Sequence, residues 1–444
     1  MIWIGVDDTD SPTGGCTTYV AYTIVEQVIE EGYDIIGFPR LVRLNPNVPW
    51  KTRGNGAISV HVGKGVGKKK EVGRRRKKSL HSFSTVDQED VKVTVLADIV
   101  DNIIRSCAVF SDAKTNPGFV ICKEKPPGDV YVRGVKGILK LSEIKRLLEN
   151  MGATYKGYKN ERGLIGATAA VAWTPIDKTY ELITYRFNEK WGTTRYVDVS
   201  SVQMLDNICS STFDNYDYVN KHNRITPNSP CPVLYGIRGD NPDELLKAIS
   251  VVKSEEYVGW LLFETNQGTD DHLQKKKIEE IKPGDSVIIE GKVASKPSTI
   301  VGGHVVFKLR DESNKVIDCA AYEPTKQFRD IIRELQVGDT IKVFGGVREK
   351  PFTNNLEKIH IKKLVRIKKK VENPICTRCG KHMKSIGKEA GYRCIRCGLE
   401  VDEKQVRFVS VKRVLKPGFY EVPVCARRHL SKPLKRMKIH RMIK

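Results

Sequence analysis

Apolar residues 1–6 form one short continuous run, and Val20, Ile24 and Val28 then recur at helical spacing. The first reads as a buried strand and the second as a helix. Gly32 stops that helix, and residues 33–44 return to a strand pattern that Asn45-Pro46-Asn47-Val48-Pro49 breaks. A strand is expected at 57–62 and a helix over 91–104, and residues 112–118 form a polar turn before an apolar run at 119–122. Residues 63–78 hold Lys68-Lys69-Lys70 and Arg74-Arg75-Arg76-Lys77-Lys78 between glycines. Like-charge repulsion and low apolarity predict a mobile surface loop there. A new unit begins around Pro126-Pro127-Gly128. Beyond it the pattern predicts helices at 141–151 and 242–252, and strands at 180–187, 230–239 and 257–264. That mixture suits an α+β unit of the ferredoxin type.

From about Lys277 the pattern turns strongly β, with strands expected at 286–293, 304–310, 316–321, 340–347 and 358–367. One helix, 327–335, falls between the third and fourth. Five strands with a helix after the third match the OB barrel, a frequent binder of single-stranded nucleic acid.

Charge sharpens this picture. Lys and Arg number 76 against 53 Asp and Glu, a formal net charge of +23. Such an excess favours a polyanion partner, most simply nucleic acid. No apolar run approaches the ~18 residues of a membrane span, and the first residues lack the pattern of a signal peptide. The expectation is a cytoplasmic protein. Of eleven cysteines, four form Cys376-x-x-Cys379 and Cys394-x-x-Cys397, and the rest are scattered. That spacing predicts a tetrahedral, structural Zn²⁺ site of four thiolates with no position open to substrate. Lys381, Lys384, Lys388, Arg393 and Arg396 make its surface a candidate contact for RNA phosphates.

Against this basic background stands one acidic turn, Gly5-Val6-Asp7-Asp8-Thr9-Asp10-Ser11-Pro12-Thr13-Gly14-Gly15-Cys16-Thr17-Thr18. Asp7, Asp8 and Asp10 supply hard oxygens suited to Mg²⁺, and Gly14 and Gly15 before a helix permit close approach of phosphate oxygens. A turn whose carboxylates cap the next helix is the alternative, but one carboxylate would serve for that. Thr17 and Thr18 fall in the first helical turn, where a hydroxyl can coordinate metal, cap the helix or accept a phosphoryl group; the residues alone favour capping. Arg53, Lys114, Arg162 and Arg238 precede glycine or Asn-Pro turns and are candidate clamps for a triphosphate. The basic segment 427–436 is expected to contact phosphate.

Taken together, these motifs resemble the archaeal tRNA(Ile2) 2-agmatinylcytidine synthetases. The similarity extends through Lys51-Thr52-Arg53-Gly54-Asn55-Gly56, Lys114-Thr115-Asn116-Pro117-Gly118, Gly163-Leu164-Ile165-Gly166-Ala167, Thr212-Phe213-Asp214-Asn215, Cys231-Pro232-Val233-Leu234-Tyr235-Gly236-Ile237-Arg238-Gly239 and the cysteine ribbon. The resemblance implies a multidomain α+β chain. Its units would be a kinase-like α/β catalytic domain (1–130), a ferredoxin-like domain (131–268), an OB-fold (269–370) and a zinc ribbon with a basic tail (371–444). It implies ATP-dependent joining of agmatine to C2 of the wobble cytidine, C34, in tRNA(Ile2) with a CAU anticodon, so that AUA is read instead of AUG. The cofactors would be ATP, Mg²⁺ and structural Zn²⁺; the partners tRNA(Ile2) and agmatine, with no membrane. A threonine of Cys-Thr-Thr is autophosphorylated in the family, aligned here with Thr17 and next with Thr18. Agmatine is a dication, which suggests an acidic or aromatic pocket, and Phe213, Asp214, Tyr216 and Asp217 are candidates. The competing reading is a non-catalytic tRNA-binding or chaperone protein.

Overall fold

The computed structural model describes residues 2–87, 91–387, 390–402 and 407–438. Strand β1 (Ile2–Asp7) leads through the acidic turn into α1 (Thr17–Glu30). The short strands β2 (Asp34–Ile36) and β3 (Arg40–Arg43) follow, then β4 (Gly56–Arg75), β5 (Lys78–Asp87), α2 (Val93–Cys107) and β6 (Gly118–Cys122). Strand β1 is antiparallel to both β4 and β6, with Ile4 opposite Val60 and Ile121. Ile4, Val6, Val20, Ile24 and Val28 join one core with α2, so the helical stripe read in the sequence is the buried face.

Residues 63–78 are not a mobile loop. They lie in a long antiparallel ribbon of β4 and β5, in which Lys64 opposes Asp87 and Arg75 opposes Lys78. Two features override the charge repulsion. Val72 and Leu80 are fully buried, giving the ribbon an apolar inner face. Several cations meet acids: Arg75 pairs with Glu26 at 2.7 Å, Lys78 with Glu30 at 3.1 Å and Lys70 with Asp243 at 2.7 Å.

Helices α3 (Asp129–Lys136) and α4 (Leu141–Asn150), strand β7 (Thr154–Gly157) and helix α5 (Gly163–Ala172) come next. Strand β7 extends the sheet beside β6, and α5 lies across β1 and β4. The following unit runs β8 (Thr179–Tyr185), α6 (Val199–Ile208), β9 (Thr212–Phe213), the small hairpin β10 (Tyr216–Asp217) and β11 (His222–Asn223), β12 (Val233–Gly239), α7 (Pro242–Val251) and β13 (Gly259–Thr265). Its four main strands lie in the order β13-β8-β12-β9. With the hairpin set aside this is a βαββαβ unit whose fourth strand neighbours the first, the ferredoxin-like topology. Strand β13 also pairs in parallel with β3, Glu264 opposite Arg40, which makes one continuous sheet of both units.

Strands β14 (Gln274–Lys275), β15 (Ser286–Val293), β16 (Ser298–Ile300), β17 (His304–Arg310) and β18 (Val316–Ala321), helix α8 (Phe328–Arg333), and β19 (Thr340–Arg348) and β20 (Thr353–Lys363) build the next unit. Five of its strands run β15-β19-β20-β18-β17, and β17 pairs back onto β15. That closed barrel, with α8 between its third and fourth strands, is the expected OB fold. Buried Phe328 and Ile332 of α8 plug its core. Beyond it, β21 (Ile367–Glu372) pairs with β25 (Arg407–Val411) and flanks the small sheet of β22 (Lys384–Ser385), β23 (Tyr392–Arg393) and β24 (Glu400–Val401). Strand β26 (Gly418–Glu421) returns to the barrel beside β20. Among the described residues no helix is long and apolar enough to cross a membrane.

The basic segment 427–436 is turned inward, contrary to the expectation of a phosphate-binding tail. Its backbone bonds to residues 266–270: the Gly268 amide donates to the His429 carbonyl at 2.7 Å and the Asp270 amide to that of Leu430 at 2.8 Å. Arg427 pairs with Asp214 and Glu421, and Arg428 with Glu357 at 3.2 Å. Arg436 meets both Asp177 (2.8 Å) and Asp240 (2.7 Å). These partners belong to the ferredoxin-like unit and the barrel, so the segment clasps the two together. Arg436 is almost wholly buried while its acids are partly exposed. Replacing it by Met should therefore lower unfolding free energy by about 1–3 kcal/mol, less than for a fully buried pair. A urea titration indistinguishable from wild type would show that the clasp is dispensable.

Candidate active site

Strand β1 delivers Asp7 into contact with the start of α5. Gly166 permits this, because a Cβ there would lie 1.8 Å from the Asp7 carboxylate. Asp8 follows in the left-handed region at φ +58°. Its carboxylate faces Arg162, the residue before α5, at 3.4 Å. Asp10 accepts from Thr52 Oγ1 at 2.6 Å and from Arg53 Nε at 2.6 Å. Burial, reinforced by Asp8, pushes the Asp7 carboxyl well above the usual range. Burial also raises Asp8 to about 6, against the pull of Arg162. Crowded, desolvated carboxylates of this kind lack positive charge. A divalent cation bound by oxygens fits that donor set.

All three carboxylates line one cleft, whose other wall is apolar: Leu44, Val48, Trp50, Ile138, Leu139 and Ile165. Lys51 and Arg162 stand at the polar end. Asp10 and Gly56 also border a second cleft, lined by Cys16, Thr17, Thr18, Arg43, Arg53, Glu181, Arg224, Arg238 and His429. The two compartments thus meet at Asp10.

Neither threonine caps α1. Cys16 is the N-cap residue and makes no side-chain cap bond. The Thr17 hydroxyl accepts from Thr9 Oγ1 at 3.1 Å, and Thr18 Oγ1 contacts Cys16 Sγ at 3.0 Å. Both hydroxyls therefore belong to the second cleft. Gly14 and Gly15 line neither cleft. The Gly14 amide donates to the Ser11 carbonyl at 3.3 Å, and the Gly15 carbonyl accepts from Arg53 Nη2 at 2.7 Å. Lys114 is exposed, and it is its carbonyl that meets Arg162, at 3.3 Å. Arg238, expected beside the triphosphate, lies in the second cleft with its Nε 3.1 Å from Glu181.

Sequence reasoning passed over Arg43, Glu181, Arg224 and His429 as site residues. Arg43 fits because Gly54 and Gly56 leave room for its guanidinium, which a Cβ at either position would meet within 3 Å. His429 arrives from the C-terminal clasp. The neighbouring Arg43, together with burial, holds its imidazole well below its usual pKa. The residues favoured for agmatine are largely engaged. Asp214 pairs with Arg427, and Asp217 accepts from the Asn220 and Cys425 amides at 3.0 Å each.

The four ribbon cysteines converge, their sulfurs all within 4.8 Å of one another. Gly380 and Gly398 adopt φ +67° and +71°, and their amides donate to the Cys376 and Cys394 carbonyls at 2.9 Å each. Each Cys-x-x-Cys is thus a knuckle. Backbone amides, that of Cys397 first, lower the Cys394 thiol to about 6, which favours the thiolate a Zn²⁺ would need. Of the basic residues on this unit, Arg393 pairs with Glu400, Lys381 and Lys384 are exposed, and Lys388 lies outside the described residues.

The comparisons with known proteins agree with this architecture. Residues 3–160 match the TiaS TCKD domain, 161–272 the TiaS FLD domain, 287–364 an OB-fold nucleic acid binding domain and 373–415 the TiaS C-terminal zinc ribbon domain. The tRNA(Ile2) 2-agmatinylcytidine synthetase TiaS of Methanocaldococcus jannaschii is 42% identical over 442 residues, 98% of each chain. That of Archaeoglobus fulgidus is 42% identical over 446 residues, covering 99% of this chain and 98% of its own. A solved TiaS–tRNA(Ile2)–ATP complex superposes with a TM-score of 0.84 at 40% identity, over 99% of this chain and 98% of the other. A TiaS–tRNA(Ile2)–AMPCPP–agmatine complex gives 0.82 at 38%, with the same coverage. The chain therefore belongs to the TiaS family of tRNA(Ile2) 2-agmatinylcytidine synthetases.

Proposed function

We propose that this protein is an ATP-dependent ligase that joins agmatine to C2 of the wobble cytidine C34 of tRNA(Ile2). The observation that carries the reading is the pair of clefts sharing Asp10, one acidic with an apolar wall and one lined by hydroxyls and cations. The first suits ATP, with its base against Leu44, Trp50, Ile138, Leu139 and Ile165 and its phosphates toward Lys51 and Arg162. The second suits the phosphoryl acceptors, Thr17 or Thr18 and the extruded cytosine. A protein that only binds tRNA gives no account of buried, mutually repelling carboxylates, which are costly unless they hold a cation.

Asp7, Asp8 and Asp10 would hold Mg²⁺, which supplies neutralisation of charge on the transferring phosphoryl group. The cytosine 2-oxygen is a poor leaving group until it carries phosphate. Arg53, fixed by Asp10, the Gly15 carbonyl and Ser229, stands between the clefts to steady the group in transit. The agmatine amine then bonds to C2 as the C2–O2 bond breaks, O2 departs within the phosphate and the nitrogen loses a proton. In this reading residues 1–130 carry the phosphoryl chemistry and 131–268 complete both clefts. The barrel at 269–370 and the zinc-bearing segment 371–444 engage the RNA. The reaction belongs in the cytoplasm, where tRNA and reduced thiolates coexist.

The direct test is the mass gain of a CAU-anticodon tRNA transcript incubated with ATP and agmatine, followed by digestion to identify the base. An adduct on C34 that requires both small molecules is expected; RNA binding without one would refute the ligase. Asp8→Asn should lower phosphoryl transfer on the order of 100-fold or more. It should also stabilise the cation-free protein. A carboxyl raised from 3.8 to about 6 binds its proton more tightly when folded, so the native state gains stability as pH falls through 6. Asn removes the penalty of the charged form at pH 8, about 1–3 kcal/mol, and gains little at pH 4. A pH-independent difference in melting temperature would contradict this. Cys394→Ser should release zinc and weaken tRNA binding several-fold more than ATP binding. Equal loss of both, by filter binding and nucleotide titration, would mean that the ribbon helps to build the catalytic fold.

A further inference from the structure

The second cleft carries more positive charge than its own residues balance. Arg43, Arg53, Arg224 and Arg238 line it against only Asp10 and Glu181. Arg53 is committed to Asp10. Of the lining acids only Glu181 remains for the others, and it serves them incompletely, while Asp214 and Asp217 act on Arg224 from outside the cleft without an ion pair. Arg238 Nε reaches it at 3.1 Å, Arg43 Nη2 stands 3.9 Å away, and Gln267 already donates to its second oxygen. The Arg43 Nε is buried without a hydrogen-bond partner. Arg224 has no ion pair or side-chain hydrogen bond among the described residues, and burial together with Arg238 depresses its pKa.

The Arg43 donor removed from water without an acceptor is costly to keep, and the half-buried Arg224 guanidinium beside it is open to a ligand. Here they are also held in place. Arg195 ties down the loop that follows Arg224, donating to the carbonyls of Pro227 (3.0 Å), Ser229 (2.7 Å), Cys231 (2.9 Å) and Val233 (2.8 Å). A fixed guanidinium cluster with more cations than acids matches an oxyanion with several acceptor oxygens, above all phosphate. Cytosine is neutral and agmatine is a dication, which this cluster repels. What an extruded nucleotide brings with it is the phosphodiester on either side.

Resting on the ligase reading above, we infer that Arg224, with Arg43 and Arg238, forms a phosphate subsite that grips the RNA backbone beside the target cytidine. The contact positions the nucleotide without reading its sequence. The same oxygens also occur on the phosphate released when the amine attacks, so the experiment must separate the two sources.

The test uses full-length tRNA built by ligation with one neutral methylphosphonate, 5′ or 3′ of C34, bound to the wild type, Arg224→Met and Arg224→Lys. One of the two linkages should weaken wild-type binding about 10- to 100-fold. Arg224→Met should lose a similar factor on normal tRNA and nothing further on the methylphosphonate, with a salt slope smaller by about one. Arg224→Lys, with charge but no fork, should recover part of the loss, which a misfolded variant would not. Normal binding by Arg224→Met with a slowed second step in single turnover would overturn the backbone assignment in favour of the released phosphate. Independent losses, or none, would overturn the subsite altogether. Coupling between Arg224 and one linkage in a wild type that forms no agmatine adduct would sink the ligase reading and leave the subsite standing.

Discussion

Helix α5 lies on β1 at a distance that only glycine allows, and the chemistry of the molecule follows from that contact. A Cβ on Gly5 would sit 2.3 Å from the Ala167 carbonyl oxygen, one on Gly118 2.4 Å from the Leu164 amide nitrogen, and one on Gly163 2.3 Å from the Gly118 nitrogen. Backbone touches backbone where α5 crosses β1 and its neighbour β6. The last residue of that strand, Asp7, is thereby carried out of water and against Gly166, while Arg162 at the head of α5 is set over Asp8. A site that stores like charges needs a frame that cannot relax away from them. Close-packed backbone is the stiffest frame a protein offers.

The same contact explains why the acidic and cationic compartments stay distinct. Asp7 and Asp8 are fixed by α5 on one side, whereas Asp10 is drawn the other way by Thr52 and Arg53. Asp10 therefore becomes the partition between the clefts. Arg53 bonds at once to Asp10, the Gly15 carbonyl and Ser229, so this partition links the acidic turn to the ferredoxin-like unit. A phosphoryl group that leaves one side for the other would pass a boundary made of a carboxylate and a guanidinium already matched to each other.

Local chemistry was legible in the sequence, and what depended on distant partners was not. Val20, Ile24 and Val28 disclosed α1, the cysteine spacing disclosed both knuckles, and strand count with helix position disclosed the barrel, because each rests on neighbours in the chain. Lys68 to Lys70 and Arg74 to Lys78 read as a solvated loop because Glu26, Glu30 and Asp243 lie tens to hundreds of positions away. Helix α3 was passed over behind Pro126-Pro127-Gly128. The apolar wall of the acidic cleft joins Trp50 to Ile138, Leu139 and Ile165, and the second cleft joins Arg43 to Arg224 and His429. Nothing in the neighbourhood of any one of these residues marks it for such company.

His429 brings the C-terminal clasp to the second cleft. The second cleft takes one wall from a segment beyond the barrel and the zinc ribbon, yet that wall stands beside residues 43 and 54. Its place is held by the Gly268 and Asp270 amides, by Arg427 and Arg428 on Asp214 and Glu357, and by Lys358, whose ammonium reaches Asp270 at 2.7 Å and the Lys432 carbonyl at 2.8 Å. Each bond ties the ferredoxin-like unit or the barrel to the clasp. The cleft is whole only when both ends of the chain are docked. An enzyme that activates a base toward attack gains from that dependence, because a compartment open to water would let water compete with the amine. Closing the wall with residues 427–436 makes the completeness of the cleft depend on the docking of both the barrel and the ferredoxin-like unit.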